Sequence, residues 1–154
     1  ENRIYQQAQY ASKWGKVSVL NRLRNEQRWQ EKITGGVSTG QFRFTNRIRY
    51  LLSFTLPVFA HPKYPSLVLA DEILMHMGKE VVYNAMDQNR IFLGIRQKIN
   101  KDLAFDFGYM QVFQQKYTGY QYDRNHTLRL FFYYSPNFSK SKSSHAALFS
   151  AGEE

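Results

Sequence analysis

Hydrophobic and polar residues alternate along several stretches of the chain with a period of two. The clearest stretch is 41–56, QFRFTNRIRYLLSFTL, where most apolar residues share one parity and the arginines share the other. A period of two is typical of a β-strand with two different faces. The alternation predicts seven strands, at 2–11, 16–30, 41–56, 67–77, 90–99, 103–109 and 125–134. We find no segment with a helical period.

Turn-forming residues separate these segments. Glycine, proline, serine, asparagine and aspartate are concentrated in the breaks at 12–15, 33–40, 57–66, 79–89, 100–102 and 118–123. Within the fourth break we interpret Asp87-Gln88-Asn89 as a polar turn leading into the next strand. Consecutive strands are therefore expected to form antiparallel hairpins in a single domain, residues 1–136. After Pro136 the composition becomes small and polar, so 137–154 is predicted to be a C-terminal tail.

Strand length and the distribution of basic residues indicate where such a sheet lies. Several segments run for ten to sixteen residues, whereas strands of about 5–6 residues are commonest in soluble proteins and about 9–11 residues cross a bilayer. Nine of the eleven arginines lie on the polar parity of the strands, but seven of the ten lysines lie in or beside turns and the tail. Arginine suits confined ion pairs better than lysine does. We therefore predict an all-β, antiparallel up-and-down transmembrane β-barrel of the outer-membrane type, with arginines inside and the apolar parity towards lipid.

Composition and charge narrow the classes of protein to which the chain can belong. The 154 residues carry a net charge of +9, 16% of them are aromatic, and none is cysteine. The length suits one domain, and the lack of cysteine excludes a disulfide scaffold. Basic, aromatic-rich chains also bind nucleic acids, but in those proteins rings and cations share one surface. Here they occupy opposite parities, so we expect no nucleic-acid partner.

The polar parity defines the candidate site, a charge network in the lumen of the barrel. Its members are Arg22, Arg24, Glu26, Arg28, Arg43, Arg47, Arg49, Glu72, Arg90, Arg96, Asp106 and Arg129. Nine arginines face three carboxylates, so the excess must be paired, hydrated or used. The first interpretation is a structural ladder of ion pairs, and the alternative is a small anion-attracting pore or a site for lipid or phosphate groups. A second alternative is a soluble barrel like the fatty-acid-binding proteins, with the apolar parity inside.

The serine, histidine and acidic residues of the sequence are not spaced as in a catalytic site. Asp123, His126 and Ser135 are the one serine, histidine and acid combination, but Asp123 and His126 have opposite parity along a strand and cannot share a face. His76 shares its parity with Glu72 and is expected to pair with it. The spacing of the four histidines does not suggest a metal site. We therefore predict a protein that is not an enzyme and has no cofactor.

Short motifs add a family resemblance. They are Asp71-Glu72-Ile73, Asp87-Gln88-Asn89-Arg90 followed by Gly94, Gly108-Tyr109-Met110, and Asn125-His126-Thr127-Leu128. With the arginine-rich segments at 22–29 and 41–56, they resemble an uncharacterised family of bacterial outer-membrane β-barrels, domain of unknown function 2490. The similarity covers most of 16–134. It implies an outer-membrane barrel and brings no activity or catalytic residue.

The number of predicted strands does not match that of a closed barrel. Outer-membrane barrels have an even number of strands, with eight as the minimum, whereas seven are predicted here. Members of the family also look longer at the N-terminus. We therefore expect residues upstream of Glu1, or another chain, to complete the sheet.

These expectations together predict a role. We expect a structural or accessory subunit of an outer-membrane assembly in a Gram-negative bacterium. Its partners would be outer-membrane lipids and other outer-membrane proteins, with residues 135–154 as a candidate contact.

Overall fold

Seven strands form one antiparallel sheet in which each strand pairs with its neighbours in sequence, as predicted. The computed structural model describes residues 1–59, 61, 63–79, 81, 85–116 and 118–136. The strands are β1 (Asn2–Trp14), β2 (Val17–Thr34), β3 (Val37–Pro57), β4 (Ser66–Met77), β5 (Met86–Lys98), β6 (Leu103–Gln115) and β7 (Tyr122–Tyr134). The predicted tail, 137–154, lies outside the described residues. In the part of the chain that is described, no helix has the length and apolar character needed to span a membrane.

Two of the turns are tighter than the sequence predicts. The breaks expected at 12–15 and 33–40 shrink to the pairs 15–16 and 35–36, because the residues on either side continue the strands. Gly35 and Gly36 have φ of 60° and 82°. Positive φ at both positions of a two-residue loop gives the twist that a hairpin needs. As a result, β2 and β3 extend past their neighbours as a two-stranded ribbon.

The two faces of the sheet have opposite burial. Along β4, the side chains of Val68, Ala70, Glu72, Leu74 and His76 are buried, and the residues between them are exposed. The exposed parity is largely apolar on β4 to β7. Examples are Leu69, Leu93 and Leu128, whose exposed fractions are 47%, 51% and 74%. Most charged groups thus lie on the buried face, beside a few apolar side chains such as Val68, Leu74 and Phe92, and most aliphatic and aromatic groups lie on the exposed face.

On the exposed face, β1 to β3 differ from the other strands. Amide side chains interrupt the apolar parity there and hydrogen-bond to their neighbours. Gln27 donates to Gln6 over 3.0 Å, and the Tyr50 hydroxyl donates to Asn21 over 2.7 Å. We call this group the amide patch; its members are Gln6, Asn21, Asn25, Gln27 and Asn46.

The sheet curls so that its buried face is concave. A cavity of about 400 Å³ is lined by Ala11 of β1, Leu20 of β2, Ser53 of β3 and Arg96 of β5. In a flat sheet, β1 and β5 would lie about 19 Å apart, since neighbouring strands are about 4.8 Å apart. One cavity can reach both strands only because the sheet bends round it.

The curled sheet is not closed. Among the described residues, β1 pairs only with β2, and β7 pairs only with β6. Nearly every residue of both edge strands is exposed, whichever face it lies on. The structure therefore has seven up-and-down strands with two free edges, each 13 residues long.

A pair of glycines holds β5 and β6 in close contact on the buried face. Gly94 lies directly opposite Gly108. A Cβ atom at Gly94 would lie 2.5 Å from the Phe107 carbonyl oxygen and 2.6 Å from Cζ of Phe92, whose ring is buried. The Phe92 ring therefore packs over the backbone of Gly94, in the space that a side chain at this position would need.

We expect Gly94→Ala to destabilise the sheet by about 1–3 kcal/mol, because the added methyl group overpacks the site. Part of the clash is with backbone, so β5 and β6 have to separate. The measurement is the free energy of unfolding by urea. Ala8→Val adds methyl groups at an exposed position of β1 and should change stability by less than about 0.5 kcal/mol. Equal stability of Gly94→Ala and the natural protein would contradict this packing.

Candidate functional site: an arginine–carboxylate network

Glu26 is the centre of the network on the buried face. Its side chain is fully buried. The register places it opposite Arg47, whose guanidinium lies 2.6 Å from Glu26 Oε2, and Arg49 donates to Oε1 over 3.0 Å. Arg24 and Arg3 lie 3.6 and 3.7 Å away. A carboxylate with four cations can be buried because the guanidinium groups replace the water it loses.

Glu72 is a second carboxylate with several arginine partners. Arg49 donates to both of its oxygens over 2.9 Å, and Arg22 donates to Oε1 over 3.0 Å. Arg90 lies 3.6 Å from Oε2. Since Arg49 also contacts Glu26, the two carboxylates belong to one network that joins β2, β3, β4 and β5.

Asp87 extends this network, although the sequence prediction left it out. The expected polar turn at 87–89 is wrong, because these residues belong to β5. The register of β4 and β5 shifts between Leu74 and Met75, which leaves Asp87 as an extra residue. A bulge re-aims the side chain next to it, and Asp87 is buried 3.1 Å from Arg47. Strict alternation would have placed Asp87 on the exposed face, so strand parity could not reveal it.

His76 pairs with Asp87 instead of Glu72. Its Nε2 lies 3.3 Å from Asp87 Oδ2 and 3.0 Å from Nη1 of Arg28. The predicted pairing with Glu72 is therefore wrong. Both residues do lie on the buried parity of β4, but Glu72 is occupied by arginines and the bulge brings Asp87 closer.

Arg28 reaches the network from β2 and also binds the first residue of the chain. Its guanidinium donates to Glu1 over 2.7 and 3.1 Å. These hydrogen bonds, with a further one from Arg3, hold the pKa of the Glu1 carboxyl well below its usual range. Glu1 was not among the predicted members of the site.

Arg96 and Asp106 form a separate cluster. Arg96 donates to the two oxygens of Asp106 over 2.7 and 2.8 Å. Tyr133 donates its hydroxyl to the same carboxylate over 2.8 Å, and its ring lies 4.7 Å below the guanidinium. This cluster joins β5, β6 and β7, and Tyr133 is the member that sequence reasoning missed.

The remaining two predicted residues, Arg43 and Arg129, also contact side chains other than carboxylates. Arg43 donates to Gln30 over 3.0 Å within the β2–β3 ribbon. Arg129 stacks on the rings of Phe92 and Phe131, at 5.3 and 5.2 Å. Arg129 is only partly buried, so aromatic rings can accompany its charge.

The main network combines an excess of cations with four carboxylates, of which Glu26, Glu72 and Asp87 are buried. Seven arginines, Arg3, Arg22, Arg24, Arg28, Arg47, Arg49 and Arg90, contact four carboxylates or the adjoining histidine. Such an arrangement ties neighbouring strands together and attracts anions. The described residues contain no group of three or more histidines and carboxylates placed to hold a metal ion.

Comparison with known proteins identifies the chain. A family model described as "Protein of unknown function (DUF2490)" matches residues 1–123. The chain belongs to this family. No curated protein and no solved structure is significantly similar to it.

The DUF2490 match covers β1 to β6 and the first residues of β7. It therefore includes every carboxylate of the two clusters, while Arg129 and Tyr133 lie beyond it. The family resemblance inferred from the short motifs is thus confirmed.

Proposed function

We propose that this DUF2490 chain is an integral outer-membrane protein whose seven strands form most of the wall of a small β-barrel. The observation that carries this proposal is the inverted burial: a charged network on the concave face and an apolar parity on the exposed face. Water-soluble domains bury the apolar face of a sheet. A face of exposed leucine, isoleucine and phenylalanine suits a hydrocarbon environment, where the polar groups have to lie inside.

Strand lengths and aromatic residues support this location. The shortest strand has 12 residues, and about 9–11 tilted residues cross the hydrocarbon core. Trp14 and Tyr134 end their strands at one end of the sheet, and Trp29 packs on Phe44 near the other, at a centroid distance of 5.2 Å. Aromatic residues in these places are typical of the girdles at the two membrane interfaces.

The free edges fit closure by a single further strand. In an antiparallel sheet of seven strands, β1 and β7 run in the same direction, so they cannot pair with each other in antiparallel fashion. One strand of opposite direction, placed between them, would pair with both and give eight. An eight-stranded barrel is just wide enough for side chains to fill, which suits the packed ion pairs of the concave face.

The amide patch supports an accessory role within an assembly. Polar amides facing lipid are unfavourable because hydrocarbon offers them no hydrogen-bond partner. The patch gathers five amides on the exposed face of β1 to β3, whereas on β4 and β5 the exposed Asp71 accepts a hydrogen bond from Asn89 over 2.6 Å. A neighbouring outer-membrane protein covering these strands would supply the missing partners, while β4 to β7 remained in lipid.

Cell fractionation tests the proposal. We expect the protein to separate with the outer membrane of the cells that make it, to resist washing with alkaline carbonate, and to be released by detergent. Released under mild conditions, it should copurify with other outer-membrane proteins. Recovery in the soluble fraction without detergent would contradict the membrane location and favour the soluble barrel. Recovery as a lone protein under every mild condition would contradict the accessory role.

A further inference from the structure

The two ends of the sheet differ in charge. The connections 15–16, 58–65 and 99–102 lie at one end, which we call the lysine end. Within two residues of these connections the sequence has a single carboxylate, Asp102, and five lysines: Lys13, Lys16, Lys63, Lys98 and Lys101. At the opposite end, Lys32, Lys79 and Lys116 are accompanied by acids, and Lys116 lies 3.1 Å from Asp123. At one end only, lysines thus greatly outnumber the nearby carboxylates.

A cavity at the lysine end collects these charges. It has a volume of about 480 Å³. Lys13 and Lys16 reach it from the first hairpin, and Arg96 and Lys98 reach it from β5. The polar lining also includes the imidazole of His61 and four side chains with hydroxyl groups: Ser18, Thr55, Tyr64 and Ser66. No carboxylate belongs to the described lining, although the four cations come from strands that are distant in sequence.

The lysine ammonium groups of this cavity are available to a ligand. In the described part of the chain, none of Lys13, Lys16 and Lys98 forms a salt bridge with a carboxylate. Arg96 differs, because Asp106 holds it by two hydrogen bonds. Arg96 thus supplies a fixed donor group, whereas the lysines supply mobile positive charge.

We propose that this cavity binds a phosphoryl oxyanion, a phosphate monoester or diester. Tetrahedral oxyanions accept several hydrogen bonds at once, and the ammonium, guanidinium and hydroxyl donors that line the cavity match that need. The volume is larger than a bare phosphate requires and falls in the range of about 300–1,000 Å³ that is usual for small ligands. The cavity therefore has room for the group to which the phosphoryl is attached, as in a lipid head group. The site does not depend on the proposed membrane location.

The probes are inorganic phosphate, added at constant ionic strength, and vesicles of phosphatidylglycerol or phosphatidylcholine. The natural full-length protein in detergent should be stabilised against heating by phosphate more than by chloride. The variant Lys13→Gln/Lys16→Gln/Lys98→Gln should bind phosphate about 1,000-fold more weakly, since each of the three charge-assisted hydrogen bonds is worth about a factor of ten. A charge-preserving variant, Lys13→Arg/Lys16→Arg/Lys98→Arg, should bind within about threefold of the natural protein.

A matched variant at the opposite end separates a site from general charge attraction. Lys32→Gln/Lys79→Gln/Lys116→Gln makes the same change in net charge and should leave binding nearly unchanged. Equal loss in the two glutamine variants, or no loss in either, would overturn the proposal. If phosphate competes with phosphatidylglycerol vesicles, the site accepts free phosphate as well as head groups. If lysine-dependent binding is seen only with vesicles, the source is the lipid.

This result is separable from the outcome of cell fractionation. A soluble protein that still binds phosphate through these lysines would keep the oxyanion site and refute the membrane location. A membrane protein whose phosphate binding does not depend on these lysines would refute the oxyanion site and keep the membrane location.

Discussion

Replacing Glu26 by glutamine should cost about 3–5 kcal/mol of folding free energy, the usual consequence of removing one partner from a buried ion pair. The glutamine keeps the shape of the side chain and removes its charge. Arg47, Arg49, Arg24 and Arg3 would then face one another around a neutral amide. The measurement is the free energy of unfolding by urea in detergent.

Glu31→Gln is the matched control for Glu26→Gln. Glu31 lies on the same strand but on the exposed ribbon, where its carboxylate accepts a hydrogen bond from Ser38. An exposed contact of this kind is worth about 0–1 kcal/mol. A variant with both Glu26→Gln and Arg47→Gln should be less destabilised than the sum of the single changes, by about 1–3 kcal/mol, because the two groups interact directly. If Glu26→Gln unfolds like the natural protein, the carboxylate does not hold the network together.

Leu69→Arg should reduce both the stability of the protein in lipid vesicles and its amount in the outer membrane. Leu69 lies on the exposed parity of β4, with 47% of its surface accessible. A charge at the middle of a lipid-facing strand costs about 2–4 kcal/mol in a barrel. The measurement is the free energy of unfolding from phospholipid vesicles, together with quantification of the chain in purified outer membrane.

Val37→Arg serves as the comparison for Leu69→Arg. Val37 is even more exposed, at 68%, but lies at the tip of the β2–β3 ribbon. There the arginine reaches water and should change stability by less than about 0.5 kcal/mol. Equal and negligible effects of the two substitutions would mean that the apolar face does not lie in lipid.

Strand order and the segregation of residue types were accessible from the sequence. The alternation in 41–56 and in 67–77 has a period that only a strand can present as two faces. Connections of two to about ten residues between such strands leave antiparallel hairpins as the simple solution. The structure confirms the seven strands and their order.

Local sequence propensity predicted turns at some positions where the structure instead stabilises a strand. The segments Ile33-Thr34 and 37–40 contain polar and small residues, yet they continue β2 and β3 because two glycines with positive φ close the hairpin at 35–36. Asp87 is favoured in turns by its side chain. In the structure its charge is stabilised by Arg47 within a strand, a partner forty residues away that no local rule can identify.

The candidate site also has features that the sequence predicts and features that depend on how the strands pair. Parity alone places Arg22, Arg49 and Glu72 on one face, because alternation is a local property of an extended chain. It cannot decide which arginine contacts which carboxylate, since that depends on the register between strands. Register places Glu26 opposite Arg47 and joins Glu26 to Glu72 through Arg49.

By itself, the sequence determined that this chain forms a sheet with one arginine-rich and one apolar face, because an alternation with a period of two depends only on residues close together in the chain. Only the tertiary structure decided that the charged face is the buried, concave one, because burial depends on how the sheet curls. The bulge that turns Asp87 inward, the Gly94–Gly108 contact and the cavity at the lysine end have the same origin. Each brings together residues from different strands, and their meeting is fixed by register and curvature, which no single segment contains.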